Sequence, residues 1–268
     1  MTRRIWAIAL NTYREAVRQK VLYALVLFTV VLIFFSLILG QLTIGADTKI
    51  IKDMGLASIM LLGAMISVFM GVGLVFKEVE RRTIYTILSK PVSRWEFILG
   101  KFLGMALTIG LEIAAMTVLL FGLLLFYREP LDFALLKAVL LIYTELCILI
   151  TVALVFSSYS SSFMSILFCL SFLVVGHLTD DLATLLEPKL TTVIETGGPA
   201  AAAGARGILT AVHVVGVLNL DHFVINAKVV HGVSVSWNWI LNSLLYGVGW
   251  LVLLLTCAVW IFRRKDLA

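Results

Sequence analysis

Charge is scarce in this sequence. Only 14% of the 268 residues are Asp, Glu, Lys or Arg, while 61% are apolar. Soluble domains carry about 25% charged and roughly 45–50% apolar residues. A water-soluble fold of this size has no way to hide so much apolar surface. Cysteine is nearly absent too. Cys147, Cys169 and Cys257 all fall inside apolar runs, so they read as small packing residues and imply no disulfide framework. No G-x-x-x-x-G-K-[ST] phosphate loop is present: Gly100 and Lys101 are followed by Phe102, and position 95 is Trp. No H-E-x-x-H occurs, and the serines of 157–162 have no plausible base beside them. No repeat of 20–50 residues is visible. The first apolar run is too long for a cleaved signal peptide and has no small-residue cleavage site after it.

What is present is long apolar runs. With a mean hydropathy of +1.07, six stretches approach the roughly 20 residues needed to cross a bilayer: 21–40, 55–76, 102–126, 133–156, 163–179 and 238–262. The fifth is the shortest. Their length and lack of strict alternation favour helices over barrel strands. The expected fold is therefore all-α, a single multi-pass domain over 1–268 with six transmembrane helices.

Lys and Arg set the orientation. With both termini cytoplasmic, five fall in the N-terminal segment, six in 77–101 and three at the C-terminus. Fourteen of the 21 then lie inside and seven outside. The +5 net charge reflects this orientation, and no nucleic-acid partner is inferred from it.

Residues 2–20 read as an amphipathic interfacial helix. Arg4, Asn11, Arg14, Glu15 and Arg18 share one arc, and Ile5, Ile8, Ala9, Tyr13 and Ala16 lie opposite. External connections are expected at 41–54 and around Pro130, with a minimal inside turn at 157–162. The longest connection, 180–237, is itself rather apolar. It holds an amphipathic piece (180–195), a Gly/Pro break at 197–199 and an apolar run (200–218). This pattern predicts an external or partly re-entrant helical hairpin between spans five and six, since irregular backbone at membrane depth needs protein or water to satisfy it.

The segment 77–101, KEVERRTIYTILSKPVSRWEFILGK, is the one substantial inside loop. From Glu78 to Ser89 it reads as a short surface helix, with acids first, Lys90 at its end and Pro91 as the stop. Ser93 and Glu96 then form an S-x-x-E capping box opening a helix into span three. Gly100 and Gly104 form a small-xxx-small pair that admits a close neighbour. A short helix held between two spans suits mechanical coupling to a cytosolic partner; an ordinary solvated loop is the plainer alternative.

Two ionisable groups stand at mid-membrane, where they are costly and usually partnered. Glu112 is 11 residues beyond Lys101, and Glu145 is 12 before Ser157. Both therefore lie about 17 Å from the inner face. Adjacent antiparallel spans would allow the carboxyls to meet and share a proton, or each to bond a neighbouring helix. The four histidines (His177, His213, His222, His231) fall on the outer side in no recognisable ligand spacing, so no metal or cofactor site is expected.

The 77–101 segment, through Glu80, Arg82, Thr83, Leu88, Pro91, Val92, Ser93, Arg94, Gly100 and Lys101, resembles the signature loop of ABC-2 type transporter permeases. The opening NTYREAVRQKVLYAL, the FSSYSSS turn and the closing HGVSVSW and FRRKDL extend the resemblance over nearly the whole chain. They are similar to the branch labelled as maturation permeases for multicopper enzymes such as nitrous oxide reductase. The resemblance implies a non-enzymatic permease of a bacterial or archaeal cytoplasmic membrane, working in export. It also implies a second permease chain, identical or different, and a separate ABC-type ATPase dimer that binds the ATP and Mg. ATPase contact would fall on Glu80, Arg81, Arg82, Tyr85 and Leu88. An extracytoplasmic protein is a possible further partner for 180–237. Two readings of another class remain: a non-transporting scaffold for an ATPase or maturation complex, and an ion-coupled secondary transporter using Glu112 and Glu145.

Overall fold

A computed structural model describes residues 2–41, 47–80, 93–129, 132–196, 198–216 and 219–264. Among these, every regular element is a helix: α1 Thr2–Val17, α2 Lys20–Gln41, α3 Asp47–Glu80, α4 Arg94–Phe126, α5 Phe133–Ser157, α6 Ser162–Thr196, α7 Pro199–Gly216, a 3₁₀ turn Asp221–Phe223, α8 Asn226–Val230 and α9 Trp237–Arg264. Five segments are long and apolar enough to cross a membrane: Thr48–Leu74, Arg94–Phe126, Phe133–Ser157, Ser162–Thr179 and Trp237–Arg263. The run expected as span one forms α2, whose 22 residues make a helix about 33 Å long with a shorter apolar stretch at Tyr23–Ile38.

Three boundaries differ from expectation. The connection anticipated over 41–54 is already helical from Asp47, because Lys49, Lys52 and Asp53 extend α3 beyond its apolar part as a polar first turn. At the other end α3 continues through Glu80, so Glu78–Glu80 close this helix. The remainder of the expected surface helix, 81–89, lies outside the described residues, as do 90–92 and Pro130. Span five likewise does not stop at Thr179. α6 carries on through the amphipathic 180–195 piece with Pro188 inside it. Proline removes one intrahelical bond, the one its N–H would make to the Thr184 carbonyl, and the helix continues past it; threonine hydroxyls bond along the same stretch, Thr192 donating to Pro188 O at 2.7 Å and Thr191 to Glu187 O at 2.8 Å.

The chain divides into two compact units, Met1–Cys169 with Ile225–Ala268, and Leu170–Val224. In the first, α5 is the central post. It packs on α3, α4, α8 and α9, and every residue from Thr144 to Leu154 is buried, as befits a helix apolar on all sides. Three contacts fix the register. A Cβ on Gly55 would fall 2.5 Å from Leu120, one on Gly63 2.6 Å from Leu146, and one on Gly71 2.6 Å from Ala153. α3 therefore runs antiparallel to α4 and parallel to α5.

In the second unit the chain leaves α6, breaks around Gly198, forms α7 and returns: the Leu220 N–H donates to Gly176 O at 3.1 Å. Leu220 fills the place a side chain at 176 would need, 2.7 Å from its Cβ. The segment expected to hold a hairpin is helical, 180–196 as the continuation of α6 and Pro199–Gly216 as α7.

α4 ends in a Schellman-type cap, with Arg128 N–H on Leu125 O (2.9 Å) and Glu129 N–H on Leu124 O (3.0 Å). Arg128 itself sits at φ 58°. Glycine is the usual residue there, and a side chain in this conformation costs about 1 kcal/mol.

Candidate functional site

The start of α4 is tied down on three sides. Its first turn is closed by the capping box foreseen from S-x-x-E, in which the Ser93 N–H donates to Glu96 Oε2 at 3.0 Å. Arg94 reaches across to the end of α9, its Nη1 donating to Phe262 O and Arg263 O, both at 2.9 Å. These are last-turn carbonyls without intrahelical partners, where a cation also meets the negative end of the helix dipole. Phe97 stacks on Phe262 with centroids 5.7 Å apart. Phe97, Ile98, Ala258 and Phe262 form a small core joined by Val155.

The third side is α1. Gly100 and Gly104 do admit a close neighbour: a Cβ on Gly100 would fall 2.7 Å from Ile8 Cβ, and one on Gly104 2.5 Å from Ala9 O and 2.6 Å from Thr12 Cβ. Ala9, Thr12 and Ala16 are wholly buried on the α1 side of this seam, while Arg4, Asn11, Arg14 and Arg18 face outward as the basic arc predicts. Lys101, 1% exposed, pairs with Glu15 at 3.8 Å. The contacts of Arg94 and Gly100 put α1 and the end of α9 at the same end of the bundle as the 77–101 loop.

Of the residues expected to meet an ATPase, Glu80 is the last residue of α3, and Arg81, Arg82, Tyr85 and Leu88 lie outside the described residues. What adjoins that loop is therefore a rigid helix end on α4. Arg94 was legible as a motif residue; its partner, 168 positions away, was not.

Glu112 and Glu145 share a level. Counting eight residues inward from the Gly55–Leu120 contact brings Gly63 opposite Glu112, and Gly63 touches Leu146, the neighbour of Glu145. The two carboxyls therefore lie within about one helical turn in depth. They do not face each other. α4 and α5 meet through Gly110 and Tyr143, where a glycine Cβ would sit 3.3 Å from the ring and the Tyr143 hydroxyl donates to Ala106 O at 3.3 Å. Each glutamate is two residues, about 200°, around its helix from that contact, and so turns to the opposite face. Glu145 is fully buried; Glu112 is 9% exposed, and neither of its oxygens has a hydrogen-bond partner among the described residues.

His177 Nδ1 lies 3.0 Å from Leu173 O within its own helix. Among the described residues no group of three or more His, Cys, Asp or Glu is placed to hold a metal ion.

Residues 6–178 match the family described as ABC-2 family transporter protein. The match runs from α1 through the first half of α6 and takes in the 77–101 loop, both intramembrane glutamates and the α1–α4 seam. No curated protein matches the chain. With the match covering well over half the sequence, the chain belongs to the ABC-2 transporter family, the membrane permease components of ABC transporters.

Proposed function

We propose that the chain is the permease subunit of an ATP-driven exporter of the cytoplasmic membrane. Two permease chains line the path, both termini face the cytoplasm, and a separate ATPase dimer docks on 77–101 through Glu80, Arg81, Arg82, Tyr85 and Leu88. ATP and Mg are bound by that partner. The observation that carries this reading is the attachment of the α4 start to both α1 and α9. A push on the loop reaches α4 at Ser93, and the contacts of Arg94, Phe97, Gly100 and Gly104 oblige α1 and α9 to move with it. A floppy connection would dissipate such a push. The resemblance to the enzyme-maturation branch names no substrate, and the family match itself carries no branch.

Pull-down of the detergent-solubilised protein tests this. Wild type is expected to recover an ABC-type ATPase and Leu88→Arg to lose it, since a buried charge at a docking surface costs several-fold to many-fold in affinity. Failure of folded wild type to recover any ATPase overturns the reading. The carboxyl of Glu112, without a hydrogen-bond partner among the described residues, favours a second reading, ion-coupled transport, because ionisable groups at this depth mark ion and substrate paths. Flux in vesicles with and without ATP separates the two: flux driven by an ion gradient alone would transfer the energy source to Glu112.

A further inference from the structure

α4 and α5 are not in contact along their whole length. Beyond the Gly110–Tyr143 contact they diverge around a groove of about 490 Å³, walled by Gly110, Ala114, Val118 and Phe121 of α4 and by Leu136 and Tyr143 of α5. Its volume is in the range of about 300–1,000 Å³ typical of small-molecule sites. The lining is almost wholly apolar. The Tyr143 hydroxyl is committed to Ala106 O and the Thr117 hydroxyl to Ile113 O, so the groove offers no unsatisfied polar group to a polar ligand. Val118 is 72% exposed and Leu136 46%; the groove opens sideways, away from α3.

Its length is informative. From Gly110 to Phe121 it runs about 16 Å along the helix axis, close to half of the roughly 30 Å hydrocarbon thickness. It thus runs from mid-membrane toward the Tyr127 end of α4, one leaflet deep, and stops six residues, about 9 Å, short of Tyr127. At the turn end stands Arg128, seven residues past Phe121. Its side chain is exposed and forms no ion pair among the described residues. The acids beside it are engaged elsewhere: Glu129 pairs with Lys52 at 3.4 Å, and Asp132 accepts from the Ala134 N–H at 2.9 Å. Arg128 occupies a left-handed position that glycine would hold without strain, so the cap alone does not account for an arginine here.

We propose that this groove is a phospholipid site: one acyl chain lies between α4 and α5, and the phosphate of its headgroup meets Arg128. The occupant is an apolar rod one leaflet long with an anionic end, which is what the groove and, beyond its end, the exposed Arg128, without an ion pair among the described residues, complement. Burying the chain gains nothing hydrophobic over bulk lipid, because lipid tails are as apolar as the lining. Retention therefore comes from fit against Gly110 and Ala114 and from the charge-assisted contact at Arg128. The site is independent of the ATPase reading, since it needs neither a partner nor nucleotide.

Native mass spectrometry on protein purified from membranes, then exchanged into detergent containing phosphatidylglycerol, reads this directly. Wild type is expected to retain one phospholipid, and Ala114→Trp, which fills the groove, to retain none. Arg128→Gly relieves the backbone strain and so keeps the fold, yet its retention of the anionic lipid should fall about fivefold, the worth of one basic residue at a headgroup. Should Ala114→Trp fail to fold, Leu136→Trp closes the groove from the α5 side. Equal retention by wild type and the filled variants overturns the proposal, as does unchanged retention by Arg128→Gly. A disulfide-linked pair formed in membranes by Ala114→Cys in a Cys257→Ser background would also overturn it, by making the groove a contact between two copies.

Discussion

The two halves of α4 are packed in opposite ways. At its loop end, glycines bring the backbone against α1 so closely that no β-carbon fits, and an arginine and a phenylalanine grip the end of α9. Toward the Tyr127 turn the same helix carries Gly110 and Ala114, yet there the small residues line an open groove. Small residues thus serve two ends on one helix: contact without side chains where a neighbour is present, and space where none is. Stiffness at one end and room at the other suit a helix that receives a push at its start and faces lipid or cargo further along.

The sharpest way to break this contrast is to put a side chain into the closed half. Gly104→Leu should cost about 3 kcal/mol or more, at the upper end of overpacking because the clash is with the Ala9 backbone, and should show as loss of folded protein in size-exclusion profiles. The equivalent change in the open half, Gly110→Ala, meets only the Tyr143 ring at 3.3 Å and should cost less than about 1 kcal/mol in thermal melts. Equal losses at the two sites would abolish the distinction.

Arg94→Met keeps the length of the side chain and removes its donors. We expect about 1–3 kcal/mol of destabilisation from the two bonds to charged-donor carbonyl acceptors. ATPase recovery in a pull-down should persist while ATP-driven flux falls, because the docking loop is intact and its link to α9 is not. Between the halves lies Glu112. Glu112→Gln should lower flux about tenfold, equivalent to about 1.4 kcal/mol, with normal expression; Glu145→Gln is expected to act in the same direction. Unchanged flux from a folded Glu112→Gln protein would return that residue to a packing role. The smallest effect is expected at Ser93→Ala, which weakens the capping box by about 1 kcal/mol, read as a lower melting temperature with little change in flux.

Much of the closed half could be read from the chain alone. The S-x-x-E pattern at Ser93 and Glu96 and the Gly100/Gly104 spacing are local signals, complete within one or two helical turns. Depth was legible for the same reason: counting residues from the membrane faces puts Glu112 and Glu145 at one level, and the glycine contacts of α3 agree. Azimuth was not legible. Which way each carboxyl turns depends on how α4 and α5 are rotated about their axes, and only the meeting of Gly110 with Tyr143 sets that. The length of α6 was missed because Asp180 and Asp181 look like the end of a span and Pro188 like a stop, whereas an exposed helix tolerates both, the proline at the cost of one intrahelical bond. The groove left no trace in the sequence, since a void is defined by side chains of two helices that diverge.

The grip of Arg94 on α9 has a consequence for how this contact would be inherited. Its two acceptors are main-chain carbonyls of residues 262 and 263, which every amino acid supplies. Substitutions at those positions leave the acceptors in place, so no compensating change at 94 is ever required. Among descendants of this chain the arginine would be held constant while position 263 drifts and position 262 answers only to Phe97, and a search for paired substitutions would pass over one of the joints on which the motion depends.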